Sequence, residues 1–228
     1  ERMQLGASPA AFLGQAGLPN SRSAGSALVD ATTTSHLDDE LVEIAEENNL
    51  DVVRGHEDFV LDRIYHAALD DEADNIIYVG GDGPLIDPYI YSEALELFLD
   101  KKINFLTSYE PQTFPGGYDF NIIDFESLKI AYDKALAPSQ RINMFSYFTF
   151  NESSIKKYNF EYKKNLSNFH LSLDNPEDIV FFELIFEEID KKDIKINLKN
   201  TIKHGTPPAA QEWSHPRGAE ADLVLSRA

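Results

Sequence analysis

Asp82 is the residue whose surrounding sequence points most clearly to a functional site. A short apolar run at residues 76–79 stops at Gly80, and the chain continues as Gly-Asp-Gly-Pro. A buried strand that ends in a glycine-flanked carboxylate puts an acid at the carboxyl edge of a sheet, where open α/β sheets bind their ligands. Small neighbours allow a phosphate or a metal ion to approach the backbone closely. Asp82 is therefore the first candidate for a functional residue.

Asp174 has a similar local setting. Residues 169–173 predict a strand, Asp174 follows it, and Pro176 suits the first position of a helix. If both strands lie centrally in one sheet, the two carboxylates emerge at the same edge. Such a pair suits Mg²⁺, which binds one or two carboxylates together with substrate phosphates and water. An alternative stays open, because Asp-Gly is a common turn pair and Asp174 or Asn175 could simply cap the next helix.

The elements that must position these acids alternate along the chain. The spacing of apolar residues predicts strands at 28–31, 51–54, 75–79, 103–107, 118–123 and 169–173. It predicts helices at about 35–48, 58–69, 88–100, 125–136 and 139–150, and a last helix that starts at Pro176. Such alternation predicts an α/β fold with a mostly parallel central sheet and helices on both faces.

Composition divides the chain of 228 residues into three zones. Residues 1–27 and 204–228 are rich in Ala, Gly, Ser and Pro, whereas every Tyr and every Lys lies between them. We therefore interpret 28–203 as the folded domain. The two ends are interpreted as tails, linkers or foreign sequence.

Charge and residue usage exclude several classes of partner. The formal net charge of −19 argues against binding to nucleic acid or to an anionic membrane. No apolar run approaches the ~20 residues that span a bilayer, so membrane insertion is not expected. The chain has no cysteine, which excludes disulfides and thiolate zinc sites and fits a reducing, cytoplasmic location.

Four sequence blocks resemble the cytidylyltransferase family, which includes the spore-coat polysaccharide enzymes and is similar to the acylneuraminate and 3-deoxy-octulosonate cytidylyltransferases. The blocks are VRGHEDFVLDRIYHAA at 53–68, VGGDGPLIDP at 79–88, FPGGYD at 114–119 and LSLDNPEDI at 171–179. The resemblance covers roughly residues 28–190. It implies a nucleotide-diphospho-sugar transferase-like α/β sandwich that transfers CMP from CTP to a sugar acid or related sugar, for surface-polysaccharide biosynthesis, and releases pyrophosphate.

The resemblance also implies a magnesium site. Asp82 is similar to the metal-binding aspartate of the family's GD-x-P motif, and Asp174 is similar to the second metal carboxylate. Both are therefore expected to be catalytic residues and Mg²⁺ ligands. In the same motif, Gly81 and Pro84 are implied to contact the substrate.

Further substrate contacts are implied by the other blocks. Asp119 stands where the family has an acid after its Pro-x-Gly turn, which implies contact with the sugar. Asp58 and Arg63 match the helix that flanks the substrate pocket, and Arg141 is the retained arginine of a further family segment. Because sugar-nucleotide synthetases of this type are often dimers, the resemblance also implies a homodimer.

The chain departs from the family at its phosphate-binding loop. Family members open with an apolar strand and a loop that carries Arg and Lys, whereas here the strand is absent and the first lysine is Lys101. Residues 140–145, QRINMF, keep the arginine but lack the family's Glu, His and Thr. Two alternatives therefore stay open: a non-catalytic relative that binds a nucleotide or a partner, and a glycosyltransferase on a similar fold.

Overall fold

The computed structural model describes residues 28–150, 155–193 and 195–204. Within these ranges the chain forms six strands and eight α-helices, with one turn of 3-10 helix at His36–Asp38. The strands are β1 Val29–Thr33, β2 Asp51–Gly55, β3 Asn75–Val79, β4 Phe105–Thr107, β5 Phe120–Asp124 and β6 Lys157–Asn159. The predicted tails lie outside the described residues, apart from His204, and remain a prediction.

The helices follow the predicted order, except that the predicted helix at 139–150 is divided into two and the last helix was not predicted. They are α1 Asp39–Glu47, α2 Val60–Asp70, α3 Pro88–Asp100, α4 Phe125–Lys134, α5 Pro138–Ile142, α6 Met144–Phe150, α7 Pro176–Lys192 and α8 Leu198–His204. Asp87 fixes where two of them begin, because its carboxylate accepts hydrogen bonds from the N–H groups of Tyr89 at 3.1 Å and Leu198 at 3.0 Å. None of the helices in the described ranges combines the length and the hydropathy that a membrane span requires.

The prediction of a mostly parallel sheet is wrong. β1 and β2 form a separate parallel pair, and the other four strands form a mixed sheet in the order β3-β5-β4-β6. Helix α3 crosses over between β3 and β4, so these two strands run in the same direction. The connection from β4 to β5 contains no helix, so the chain returns antiparallel between them. β5 is thus the one reversed strand, and only β6 pairs in parallel with β4.

Helices cover both faces of the four-stranded sheet, as predicted. Alternate residues of the strands point to opposite faces, so Leu106 and Ile122 join one apolar cluster while Phe105 and Ile123 join the other. The first cluster contains side chains of α3, α7 and α8, and the second contains side chains of α2, α4 and α6. Side chains of β5 join both clusters, and β5 begins at the site described below.

The prediction of a strand at 169–173 is also wrong. Only one residue of this segment, His170, makes a β-bridge, and its partner is Gly116. The pairing stops there because the next backbone donor, the N–H of Leu173, bonds instead to the carbonyl oxygen of Asp82 at 2.8 Å. The segment is an extended connection between loops rather than a member of the sheet.

Candidate functional site

Three loops meet at the edge of the sheet where β3 ends and β5 begins. The loop after β3 carries Asp82, the turn before β5 contains Gly116, and the extended segment before α7 carries Asp174. Backbone hydrogen bonds join the last two loops: the Leu171 N–H donates to the Gly116 carbonyl at 2.9 Å, and the Gly116 N–H donates to the Phe169 carbonyl at 3.0 Å. With the Leu173 to Asp82 bond, these contacts bring together two acids that lie far apart in the sequence.

Two glycines make this close approach of the loops sterically possible. A Cβ atom on Gly83 would lie 2.1 Å from the carbonyl oxygen of Gly117. A Cβ atom on Gly117 would lie 2.2 Å from the carbonyl oxygen of Leu171, and Gly117 has a φ of +86° that disfavours other residues. The glycines of the GDGP and PGG sequences are therefore required for the packing of one backbone against another.

The loops enclose a cleft of about 390 Å³. It is lined by three carboxylates, by other polar groups and by a few apolar side chains: Tyr78, Val79, Gly80, Asp82, Ile86, Tyr91, Gly116, Gly117, Asp119, Asn121, Phe145, His170, Ser172 and Asp174. The volume lies in the usual range for pockets that bind small ligands. Asp82, Asp119 and Asp174, predicted from separate blocks of sequence, thus face one space.

Asp174 is oriented by its neighbours and does not cap the helix. Its Oδ2 accepts a hydrogen bond from Ser172 Oγ at 3.0 Å and lies 2.9 Å from His170 Nε2. The capping role falls to Asp178, whose Oδ2 accepts from the N–H groups of Asp174 at 2.9 Å and Asn175 at 2.7 Å. The Asp174 carboxylate is therefore directed away from the α7 backbone and towards the cleft.

The far wall of the cleft is built from β5 and from two tyrosines. Asp119 accepts a hydrogen bond from Gln112 Nε2 at 3.0 Å just before the strand begins. Burial raises the pKa of Tyr91 well above its usual range, and burial, followed by the charge of Asp82, raises the pKa of Tyr78. Both hydroxyls therefore stay protonated and able to donate a hydrogen bond at neutral pH.

The two arginines that were predicted to contact the substrate bond to other parts of the protein. Arg63 donates to the backbone carbonyls of Ala31, His56 and Glu57, at 3.1, 2.7 and 2.7 Å, and so ties β1 to the loop after β2. Arg141 forms an ion pair with Asp62. Neither arginine lines the cleft.

The remaining predicted contacts also lie off the cleft wall. Asp58 is exposed in the turn before α2, and Pro84 follows Gly83 in the loop after β3. Gly81 and Arg63 line a second, largely apolar groove of about 550 Å³ between β1 and β3. The substrate contacts of these residues and of Arg141 stay a prediction.

The described residues contain no group of three or more His, Asp and Glu side chains arranged to hold a metal ion. Asp82 and Asp174 offer two carboxylates to one cleft, which matches the smaller protein contribution that Mg²⁺ takes when phosphates and water complete its shell. Hard oxygen donors of this kind fit magnesium rather than a softer metal.

Sequence reasoning did not assign His170, Ser172 or Asn121 to the site. The first two could have been found from spacing, since residues 170, 172 and 174 point to the same side of an extended chain. Asn121 and Asp119 show the same two-residue spacing at the start of β5. In both cases the acid was identified and its alternating neighbours were not.

Comparison with solved structures finds a match to the fold of this chain. A solved cytidylyltransferase structure from Leptospira borgpetersenii matches with a TM-score of 0.66 and 28% sequence identity, over 74% of this chain and 78% of that one. The chain has a cytidylyltransferase-like fold. The resemblance predicted from the four sequence blocks is thereby confirmed as a structural match.

Two further comparisons are less informative about chemistry. The cytidylyltransferase-like chain is 24% identical, over 171 residues, to an uncharacterized protein of Methanocaldococcus jannaschii; the match covers 74% of this chain and 69% of that protein. No protein-family model matches the chain.

Proposed function

We propose that this chain is a Mg²⁺-dependent nucleotidyltransferase that transfers CMP from CTP to a hydroxyl group of a sugar or sugar acid. The observation that carries the proposal is the meeting of Asp82 and Asp174 in one cleft of a cytidylyltransferase-like fold. The two acids belong to loops that are joined by the hydrogen bond between Leu173 N–H and the Asp82 carbonyl. The backbones of the two loops are thus held side by side.

The charge of the cleft supports a role for a divalent cation. Three carboxylates line it, and no Lys or Arg is among its described lining residues. A triphosphate would be repelled from such a site unless a cation lay between the two sets of negative charge. Asp82 and Asp174 would hold Mg²⁺, which when bound stabilises the charge that develops on the phosphoryl group and on the pyrophosphate.

The residues around the acids have separable tasks in this proposal. Ser172 and His170 fix the orientation of Asp174, so that its second oxygen remains available to the cation. Asp119 and the tyrosine hydroxyls face the acceptor sugar. A cation held by Asp82 and Asp174 would offset the negative charge of the α-phosphate.

The test is release of pyrophosphate from CTP with Mg²⁺ and a panel of sugars and sugar acids. Asp82→Asn and Asp174→Asn should each lower the rate by about a hundredfold or more, because a neutral amide holds Mg²⁺ poorly. Asp100→Asn, at an exposed position at the end of α3, is the matched control and should leave the rate unchanged. Turnover by Asp82→Asn at the unmodified rate would refute the metal site.

A second candidate, a non-catalytic nucleotide-binding relative, has one observation in its favour. The described residues that line the cleft include neither Lys nor Arg to offset the charge of a triphosphate. Calorimetry with CTP and Mg²⁺ distinguishes the two proposals. Binding with no pyrophosphate release would support the relative, whereas absence of binding would exclude both.

A further inference from the structure

The groove of about 550 Å³ between β1 and β3 has a strand edge on each side. β1 pairs with β2 on its far side, and β3 pairs with β5 on its far side, so the two facing edges pair with no strand in the described part of the chain. Helix α2 lines the groove and packs against both β1 and the four-stranded sheet. The two sheets therefore lie side by side under one helix, with the groove between them.

The backbone of β3 directs alternate residues to β5 and to the groove. The Phe125 N–H donates to the Asp74 carbonyl at 2.9 Å, which places Asp74 among the residues that bond to β5. Because such residues alternate in an antiparallel pair, Asn75, Ile77 and Val79 direct their N–H and C=O groups towards the groove. Ile77 is the middle residue of the strand and is still 37% exposed, so this edge is accessible.

β1 presents the opposite edge. The Thr34 N–H donates to the Gly55 carbonyl at 2.9 Å, so the alternate residues that bond to β2 are those in step with Thr34. Val29 and Ala31 therefore direct their backbone groups towards the groove. The Ala31 carbonyl accepts from Arg63 Nε at 3.1 Å, whereas its N–H points to the same side as the N–H of Val29.

These edges select an extended polypeptide strand as the ligand. An open strand edge pairs readily with another strand, and addition of a strand is a common mode of peptide recognition. β1 and β3 have five residues each, so a strand of five residues, about 17 Å long, would match both of them. Such a strand would form hydrogen bonds on both of its sides and join the two sheets into one.

The charge of the groove indicates what this strand should carry. Asp30, near the start of β1, and Asp71, which precedes β3, both line the groove. The guanidinium of Arg63 also lines it but is already bonded to three backbone carbonyls. A basic residue at one end of the incoming strand would therefore complement the groove.

The composition of the chain indicates that the strand comes from another polypeptide. Val, Ile, Thr, Tyr and Trp are the residue types that favour strands, together with Phe. Residues 1–27 contain none of the first five, and residues 205–228 contain one Val and no Ile, Tyr or Phe. Neither end of the chain therefore offers a sequence that favours a strand of the required length.

We propose that the groove binds an extended segment of a separate polypeptide, with apolar β-branched residues in the strand and a basic residue at one end. The segment pairs with β1 on one side and with β3 on the other. Tyr78, Val79 and Gly80 line both this groove and the cleft, so the bound strand also supports the start of the loop that carries Asp82. Binding of such a strand does not depend on the proposed transferase activity and can be measured without turnover.

The first test is amide hydrogen exchange of the full chain, with a defined peptide as the probe. The probe is the blocked peptide Lys-Val-Thr-Val-Ile-Val. It should slow exchange of the Ala31, Asn75, Ile77 and Val79 amides at least tenfold, because these N–H groups face the groove. Exchange of the Ile76 amide, which faces β5, should be unchanged.

The control peptide is Lys-Val-Pro-Val-Pro-Val, which lacks two N–H donors on one side of the strand. It should bind at least tenfold more weakly than the probe. Equal protection by the two peptides, or protection by neither, would overturn the proposal. Full protection of the groove-facing amides before any peptide is added would show that the chain fills the groove itself, and this would overturn the proposal as well.

The second test uses variants of the groove. Ile77→Pro removes one donor that faces the groove and leaves the bonds to β5 in place, so it should weaken peptide binding at least tenfold with a nearly unchanged urea midpoint. Asp71→Lys places a positive charge beside the lysine of the peptide and should weaken binding at least fivefold. Asp70→Lys is the matched control, because this exposed neighbour makes the same change in net charge and is not among the residues that line the groove. If Ile77→Pro does not fold, the two lysine variants decide, and equal effects of both on binding would refute the proposal.

Discussion

Replacement of Gly83 by alanine is the sharpest test of how the site is assembled. The added Cβ would come 2.1 Å from the carbonyl oxygen of Gly117. This is about 1 Å closer than a methyl group and a backbone oxygen tolerate, and neither backbone can yield as a flexible side chain would. The loop that carries Asp82 must then move away from the turn before β5.

The cost follows from the contacts that this movement disrupts. Overpacking of one methyl group against a backbone costs about 1–3 kcal/mol. Loss of the hydrogen bond from Leu173 N–H to the Asp82 carbonyl adds about 1 kcal/mol. We therefore expect Gly83→Ala to lower the free energy of unfolding by about 2–4 kcal/mol. With a urea m-value of about 2 kcal/mol/M, the midpoint would fall by about 1–2 M.

Gly81 provides the matched control within the same loop. A Cβ on Gly81 would have nothing within 4 Å, so Gly81→Ala should be neutral or stabilising by about 0.4–1 kcal/mol. Urea unfolding measures both variants, and amide hydrogen exchange of Leu171 and Leu173 reports the local contact. Equal midpoints for the two variants, or unchanged protection of those amides in Gly83→Ala, would refute this account of the site.

Two further predictions concern the region around β1. Arg63→Gln should lower the free energy of unfolding by about 1–3 kcal/mol in urea melts, because three backbone carbonyls lose a charged donor; an unchanged midpoint would argue against a structural role. Asp30→Asn should raise stability at pH 7, because burial, then the charge of Asp38, raises the pKa of Asp30 despite Arg63 nearby. Between pH 3.8 and that raised pKa, the folded state binds more protons than the unfolded state. The free energy of unfolding of the unmodified protein therefore falls as pH rises through this window. The stability gained by Asp30→Asn should accordingly disappear below about pH 3.8. A gain of equal size at pH 3 and pH 7 would contradict this cause.

The acids of the site could be predicted from sequence because their signals are local. Asp82 lies between two glycines, Asp119 follows the Pro-Gly-Gly turn by two residues, and Asp174 precedes a proline that begins a helix. The strand at 75–79 and the helix at 88–100 were predicted with their observed limits. Gly and Pro residues mark the ends of such elements, and their apolar residues recur with a clear period. They can therefore be predicted without tertiary information.

Sheet direction could not be predicted in the same way. The alternation of strands and helices suggested a parallel sheet, yet the loop between β4 and β5 contains no helix and reverses the chain. The absence of a helix between two predicted strands does not by itself indicate the direction of the second strand. Residues 108–119 contain turn-forming residues that could precede a strand of either direction. The partners of Asp174 were missed for a related reason. His170 and Ser172 can be assigned to the site only once their segment is known to lie extended beside Gly116.

The reversed strand also explains why the site has two chemically different walls. β3 runs towards the cleft and its following loop supplies Asp82, whereas β5 runs away from the cleft and supplies Asp119 and Asn121 from its beginning. A fully parallel sheet would place the start of β5 at the opposite edge, far from Asp82. The antiparallel insertion thus brings Asp119 and Asn121 to face the two acids.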